Sequence, residues 1–368
     1  MLLFTPGPTP VSQKIRDAMN CPTIDHRSPQ LQEIFAKCRE LLKELYDMEE
    51  VLIVSCCATG AMESAMINLC HSKALIINSG KFSEKFINIA KSYNIPFTEL
   101  KYELGQSANV KDIQEAVTKD DKIDAVFMEI CETSTGLRNP SREISQAIKY
   151  INSDVSVVCD GRSAVGVEKI DVSNIDCLIS ASQQAFMLPS GLSMLGLSKD
   201  AIAKIEKNPK GFYFNLANEL KKQKNNLTQF SCSVNLILGL KTRLKEMKQK
   251  GFDKIYDETK RRSIATKVAL EEMNLALYPE ISSDSISVVV CEKADEIREM
   301  LKTKYEVIVA GGQEQLEGKI FRINHMGEIP PYHALWVLNA IELALDELKI
   351  RTYDGSASLA FNKIFYTK

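Results

Sequence analysis

The chain has 368 residues, long for one domain and comfortable for a large domain plus a smaller one. With 45% hydrophobic and 26% charged residues, it has the composition of an ordinary globular protein. A net charge of -2, with acids and bases interspersed, excludes the basic stripe that nucleic acid or an anionic membrane surface requires; a small molecule or another protein is the expected ligand.

No apolar run reaches the length of about eighteen residues that spans a bilayer. The start, Met1-Leu-Leu-Phe-Thr-Pro-Gly-Pro, has neither the charged region nor the long apolar core of a secretory signal. The ten cysteines form no CxxC pair, and four histidines are too few to complete zinc sets with them. Free thiols in a reducing cytoplasm, with no metal, are the expectation.

From Asp47 to about Leu197 short apolar runs alternate with helical stretches. Val51–Ser55 reads as a strand and Gly60–Cys70 as a helix. Ala74–Asn78 is a strand again, followed by a helix through Lys91. Ala125–Glu129, Val155–Asp160 and Cys177–Ser182 are further apolar runs that end in polar residues. Strands buried on both faces have this pattern, and intervening helices imply an α/β fold with a mostly parallel sheet. Ligands of such sheets bind beyond the carboxyl ends of the strands, so the polar run-ends are candidate site residues.

Helices are expected at Asn215–Lys224, Val234–Lys250 and Asp253–Met273. Thereafter the pattern reads β-α-β-β-α through Leu348, a small C-terminal α+β unit. The boundary is placed inside the long helix, near Arg261. Residues 1–260 then form the N-terminal segment and large domain, 261–350 the small domain, and 351–368 a tail. That tail shows no periodic pattern and is either a mobile end or a docked extension.

Three strand ends carry candidate chemistry. Cys57-Ala58-Thr59-Gly60 opens a helix with small residues, so backbone N–H groups and the Thr59 hydroxyl can approach an anion; a strand-to-helix turn with no ligand has the same look. Asp160 ends a buried run, where a carboxylate needs a cation or several donors, or else caps the next helix. Ser182-Gln183-Gln184 ends another run before the rigid Pro189-Ser-Gly191 turn.

The order of these motifs resembles the class V aminotransferases, alanine/serine–glyoxylate type. The likeness begins at Thr5-Pro-Gly7-Pro-Thr9-Pro and His26-Arg27-Ser-Pro29. It continues through Gly60-Ala-Met-Glu63, Asn78-Ser-Gly80-Lys-Phe82 and Glu132-Thr-Ser-Thr-Gly136, and ends at Gly318-Lys-Ile-Phe-Arg322. The resemblance implies the type I fold of pyridoxal 5'-phosphate (PLP) enzymes and amino transfer between an amino acid and a small 2-oxo acid of glyoxylate or pyruvate type. It implies that Ala58, Thr59 and Gln183, with Cys57 alongside, hold the cofactor phosphate. Phe82 would stack on the ring, Thr133 would lie near the ring hydroxyl, and Asp160 would pair with the ring nitrogen. Arg322 and the Gly7 backbone would take the substrate carboxylate. Thr228 and Ser231 match positions that reach the phosphate from a second subunit, which implies a homodimer with shared sites.

Two departures bear on activity. Gln184 stands where the family has the lysine that forms the Schiff base, and a carboxamide is neither a nucleophilic amine nor a proton carrier near neutral pH. Arg162 stands where a small apolar residue lies under the ring, so it would compete for the charge of Asp160 or else point toward a ligand phosphate or carboxylate. Ala58, Cys56, Cys57 and Asp25 also replace small family residues. The alternative expectation is therefore a catalytically inactive protein that keeps the fold and an anion pocket for ligand binding or interaction.

Overall fold

The computed structural model describes residues 1–367. The chain opens with β1 (Leu2–Phe4), α1 (Gln13–Met19) and α2 (Pro29–Tyr46). Ser12 and Ser28 cap the two helices by accepting from the N–H groups of Ile15 and Leu31. Pro29 sits in the first turn of α2, where its missing N–H costs nothing.

The elements that follow are β2 (Glu50–Val54), α3 (Ala58–Leu69), β3 (Lys73–Asn78), α4 (Glu84–Ser92), β4 (Phe97–Lys101), α5 (Val110–Lys119) and β5 (Ile123–Glu129). A two-residue ladder of β6 (Cys131–Glu132) and β7 (Leu137–Arg138) leads to α6 (Ser141–Ile151), β8 (Ser156–Asp160), β9 (Cys177–Ala181) and β10 (Ser193–Leu197). The seven-stranded sheet has the order β2-β10-β9-β8-β5-β3-β4. β10 runs antiparallel to both neighbours, and the remaining pairs are parallel. The expected α/β fold with a mixed, mostly parallel sheet is the one observed.

Strand alternation explains how the sheet is covered. Val51, Val126, Met128 and Val157 face one core, with α1, α2, α5, α6 and α9 (Val234–Lys250) packed on it. Leu52, Phe127, Val158 and Ile179 face the other, beneath α3, α4, α7 (Lys199–Lys207) and α8 (Leu216–Gln223). Both faces are apolar, so the strands read as continuous hydrophobic runs.

The long helix α10 (Phe252–Glu272), which contains Arg261, leads into β11 (Ile286–Val290), α11 (Ala294–Thr303), β12 (Val307–Gly311), β13 (Ile320–Asn324) and α12 (Pro331–Glu347). These build a second sheet, β1-β12-β13-β11, into which the first residues of the chain insert parallel to β12. The tail is a docked helix, α13 (Ser356–Tyr366), with Phe361 fully buried in the core of this unit. Arg351 fastens its approach, binding Glu342 at 2.9 Å and Asp354 at 2.9 Å. Among the described residues no helix is long and apolar enough to cross a membrane.

Candidate functional site

Glu129 and Asp160 are the last residues of β5 and β8, and the strand register sets them side by side. Alternation carries both side chains to the α3 face of the sheet, because Phe127 and Val158, two residues earlier, point there. Both acids are completely buried. Hydrophobic strands have delivered two carboxyl groups to one place, where a cation is required.

Arg162 supplies it. Its backbone N–H donates to Asp160 Oδ1 at 2.9 Å and its Nε to Oδ2 at 2.8 Å, while Nη2 also closes on Oδ2. The same Nη2 lies 3.8 Å from Glu129 Oε1. Burial alone would lower the Arg162 pKa, but Asp160 and then Glu129 outweigh it and raise it. Glu129 has no hydrogen-bond partner on either oxygen. Burial first, then the charge of Asp160, pushes its carboxyl well above the ordinary value of 4.5.

Phe82 roofs this cluster. The Arg162 guanidinium carbon lies 5.0 Å from its ring centroid and Lys85 Nζ 4.5 Å. The Phe82 loop is held by Glu132, which accepts from the N–H groups of Phe82 (3.2 Å), Ser83 (3.1 Å) and Ser134 (3.1 Å). Lys85, one turn into the following helix, reaches Thr59 Oγ1 at 3.5 Å. Burial and the charge of Arg162 lower its pKa.

The small-residue run Cys57-Ala58-Thr59-Gly60 lies at the start of α3. Cys57 is the N-cap, exposed, with Ala58 and Thr59 as the first helical residues. Their N–H groups belong to the first turn, which has no partners within the helix. Partial burial raises the Cys57 thiol pKa, but N–H donors from Gly60 and Thr59, the Thr59 hydroxyl and Lys85 bring it below 9.0 overall.

Thr9 ties the N-terminal segment to Gln183 and Gln184 by accepting nothing and donating twice: its N–H to the Gln183 carbonyl (3.0 Å) and its hydroxyl to the Gln184 carbonyl (2.7 Å). The side-chain oxygens of Gln183 and Gln184 are both buried without a hydrogen-bond partner. Gly7 is pressed against Gln184; a Cβ there would stand 2.4 Å from Gln184 Oε1. A larger residue at this position would push the Gln184 carboxamide aside.

Arg322, on β13, donates from Nε to the Gly311 carbonyl and from Nη1 to the Thr133 carbonyl, each at 2.9 Å. Its Nη2 makes no hydrogen bond among the described residues. Burial lowers its pKa to about 10, which leaves it charged at neutral pH. Thr133 Oγ1 pairs with Ser163 at 2.7 Å. Thr228 and Ser231 line a separate surface hollow with Ser55, Tyr213 and Phe230.

Sequence reasoning marked Glu129 only as one polar strand end among several, with no role, and missed Lys85. Glu129 had a signal, an acid at the end of a buried apolar run. Lys85 had none, because its neighbours in the cleft come from other elements.

The model of the family described as Aminotransferase class-V matches residues 6–317. The chain belongs to the class V aminotransferases. A relative from Helicobacter pylori J99, described as an uncharacterized aminotransferase, is 44% identical over 100% of both chains. The serine–glyoxylate aminotransferase of Hyphomicrobium methylovorum is 28% identical, over 98% of this chain and 94% of its own. Among solved structures, an aspartate aminotransferase of subgroup IV from Thermus thermophilus superposes with a TM-score of 0.88 at 28% identity, covering 94% of this chain and 99% of that one.

Class V aminotransferases are PLP-dependent enzymes, and PLP is the cofactor that family and fold assign to this cleft. The residues at the phosphate end suit it, with first-turn N–H groups at Ala58 and Thr59 and the Lys85 ammonium beside them. The residues at the ring end do not. Both Asp160 oxygens are engaged by Arg162, and the guanidinium carbon lies 5.0 Å from the Phe82 centroid. A ring sandwiched between Phe82 and the residue beneath it needs two contacts of about 3.5 Å, hence about 7 Å.

Proposed function

We propose that this class V aminotransferase binds a small molecule bearing a carboxylate or phosphate in the strand-end cleft, without the covalent lysine chemistry of its family. The observation that carries this reading is the carboxamide of Gln184 at the lysine position. It cannot form a covalent bond to a carbonyl cofactor as an amine does, and it offers no proton equilibrium near neutral pH. The cations that recognise an anion are still in place: Lys85 beside Thr59, and Arg322 with one nitrogen to spare. Thr228 and Ser231 match second-subunit positions, and a homodimer with shared clefts belongs to the same proposal.

A second reading is amino transfer between an amino acid and a glyoxylate- or pyruvate-type oxo acid. It is supported by the activities named for the relatives, and it requires the cofactor to arrive already in its amine form. One assay separates the two. Purified chain is incubated with pyridoxamine phosphate or PLP, an amino acid such as serine or alanine, and glyoxylate or pyruvate, and the product oxo acid is measured. No turnover above a protein-free control is expected; sustained turnover overturns the first reading in favour of the second.

A further inference from the structure

The Asp160–Arg162 pair is more than a missing function. A carboxylate at the end of a buried strand is tolerated only with a counter-ion, and a cofactor-binding relative would obtain one from the ring nitrogen of its ligand. This chain carries its own. Arg162 meets Asp160 through its backbone N–H and two guanidinium nitrogens, and its guanidinium lies under the aromatic face of Phe82. It is thus a flat, delocalised cation between a carboxylate and an aromatic ring, the two contacts that a protonated pyridine would make.

Glu129 lies beside the same cation. It is fully buried with neither oxygen hydrogen-bonded, and its nearest cation is Arg162 Nη2 at 3.8 Å. A guanidinium carries several N–H groups where a ring nitrogen carries one, and Nη2, which closes on Asp160, has this second carboxyl group 3.8 Å away.

We propose that the side chain of Arg162 is a built-in occupant of the pyridine-ring position, so that the native cleft excludes B6 ring compounds non-covalently as well as covalently. This rests on the lysine-free reading above and deepens it: the ring subsite is closed, and the ligand is an aliphatic anion reaching the Thr59–Lys85 and Arg322 ends.

The probe is 4'-deoxypyridoxine 5'-phosphate, which keeps the ring and phosphate but has no aldehyde, so its binding is independent of any lysine. Affinity is measured by calorimetry for the native chain, for Arg162→Val, and for Arg162→Val combined with Glu129→Gln, which removes the second buried carboxyl group and keeps Asp160 for the ring nitrogen should the single variant not fold. The expectation is no saturable native binding in the micromolar range, and a gain of about 10- to 100-fold in whichever variant folds, the worth of the charge-assisted contacts the ring no longer has to displace. In the single variant the probe should also raise the melting temperature more than inorganic phosphate does, because the ring nitrogen replaces the lost cation. Micromolar binding by the native chain overturns the proposal. So does a folded variant with no gain. Turnover in the assay above would sink the lysine-free reading by itself, while this binding comparison reads the occupancy of the ring position alone.

Discussion

Asp160 and Arg162 are joined within one turn of chain: the arginine donates from its own backbone N–H, at 2.9 Å, and from its side chain to the same buried carboxylate. Local geometry of this kind forms whether or not a ligand arrives. It makes the strand end self-sufficient in charge, and it fixes what any change at this site will do.

Restoring the family lysine alone should therefore not restore the family's cofactor attachment. For Gln184→Lys, PLP trapped with borohydride and located by peptide mass is expected at only a small fraction of sites. Combining Gln184→Lys with Arg162→Val should bring labelling at position 184 near one per chain. Full labelling in the single variant would show that Arg162 is no obstacle.

Glu129 sets a pH dependence. Its folded pKa lies above the ordinary 4.5 because of burial and Asp160, so the folded state favours the protonated acid. The associated stability is complete below pH 4.5 and is lost as the pH rises through the folded value. Glu129→Gln keeps the shape without the charge. It should gain on the native chain with rising pH, by at most about 1.4 kcal/mol per unit, in melting curves recorded from acid to mildly alkaline buffers. Parallel curves would contradict the assignment.

His325 has the opposite sign. It is buried, with Nε2 2.7 Å from Ser287 Oγ, and burial, then Arg262 and Lys267, hold its pKa well below 6.5. Stability is present above pH 6.5 and is lost as the pH falls toward the depressed folded value, since the unfolded chain takes the proton first. His325→Gln should be less acid-sensitive than the native chain, with the stability difference narrowing below neutrality in denaturant titrations.

Arg322→Lys tests the carboxylate end. Lysine keeps the charge but cannot serve the Gly311 and Thr133 carbonyls and a ligand together. Binding of a small oxo acid such as glyoxylate should weaken by about 10-fold or more, read by calorimetry, with melting temperature followed separately to report the two lost backbone contacts. Unchanged affinity would remove Arg322 from the ligand site.

Glu132→Gln addresses the Phe82 loop. The carboxylate collects N–H groups from Phe82, Ser83 and Ser134, and an amide puts a donor where acceptors are required. A loss of about 1–3 kcal/mol is expected in chemical denaturation, together with faster hydrogen exchange at Phe82 and Ser83. An unchanged exchange rate would mean the loop is held otherwise.

The alternation of strand and helix, the two-sided burial of the strands and the placing of Asp160 at a strand end were all legible in the sequence, because each depends on what an element's own residues bury. So was a carboxamide, Gln184, at the place where the ordered set of motifs leads one to expect a lysine. The N-terminal strand could not be assigned to the second sheet, nor α13 to its groove, since three residues or a short aperiodic tail do not announce a distant partner. The charge cluster depended still more on the assembled fold. Glu129 meets Asp160 through the register of two parallel strands, and Lys85 meets Thr59 across two helices. The aim of Arg162 into the cleft follows from packing around a carboxylate that had no other cation. Composition and periodicity report which face of an element avoids water; which charges then share the dry space is decided only when strand order and register bring them together.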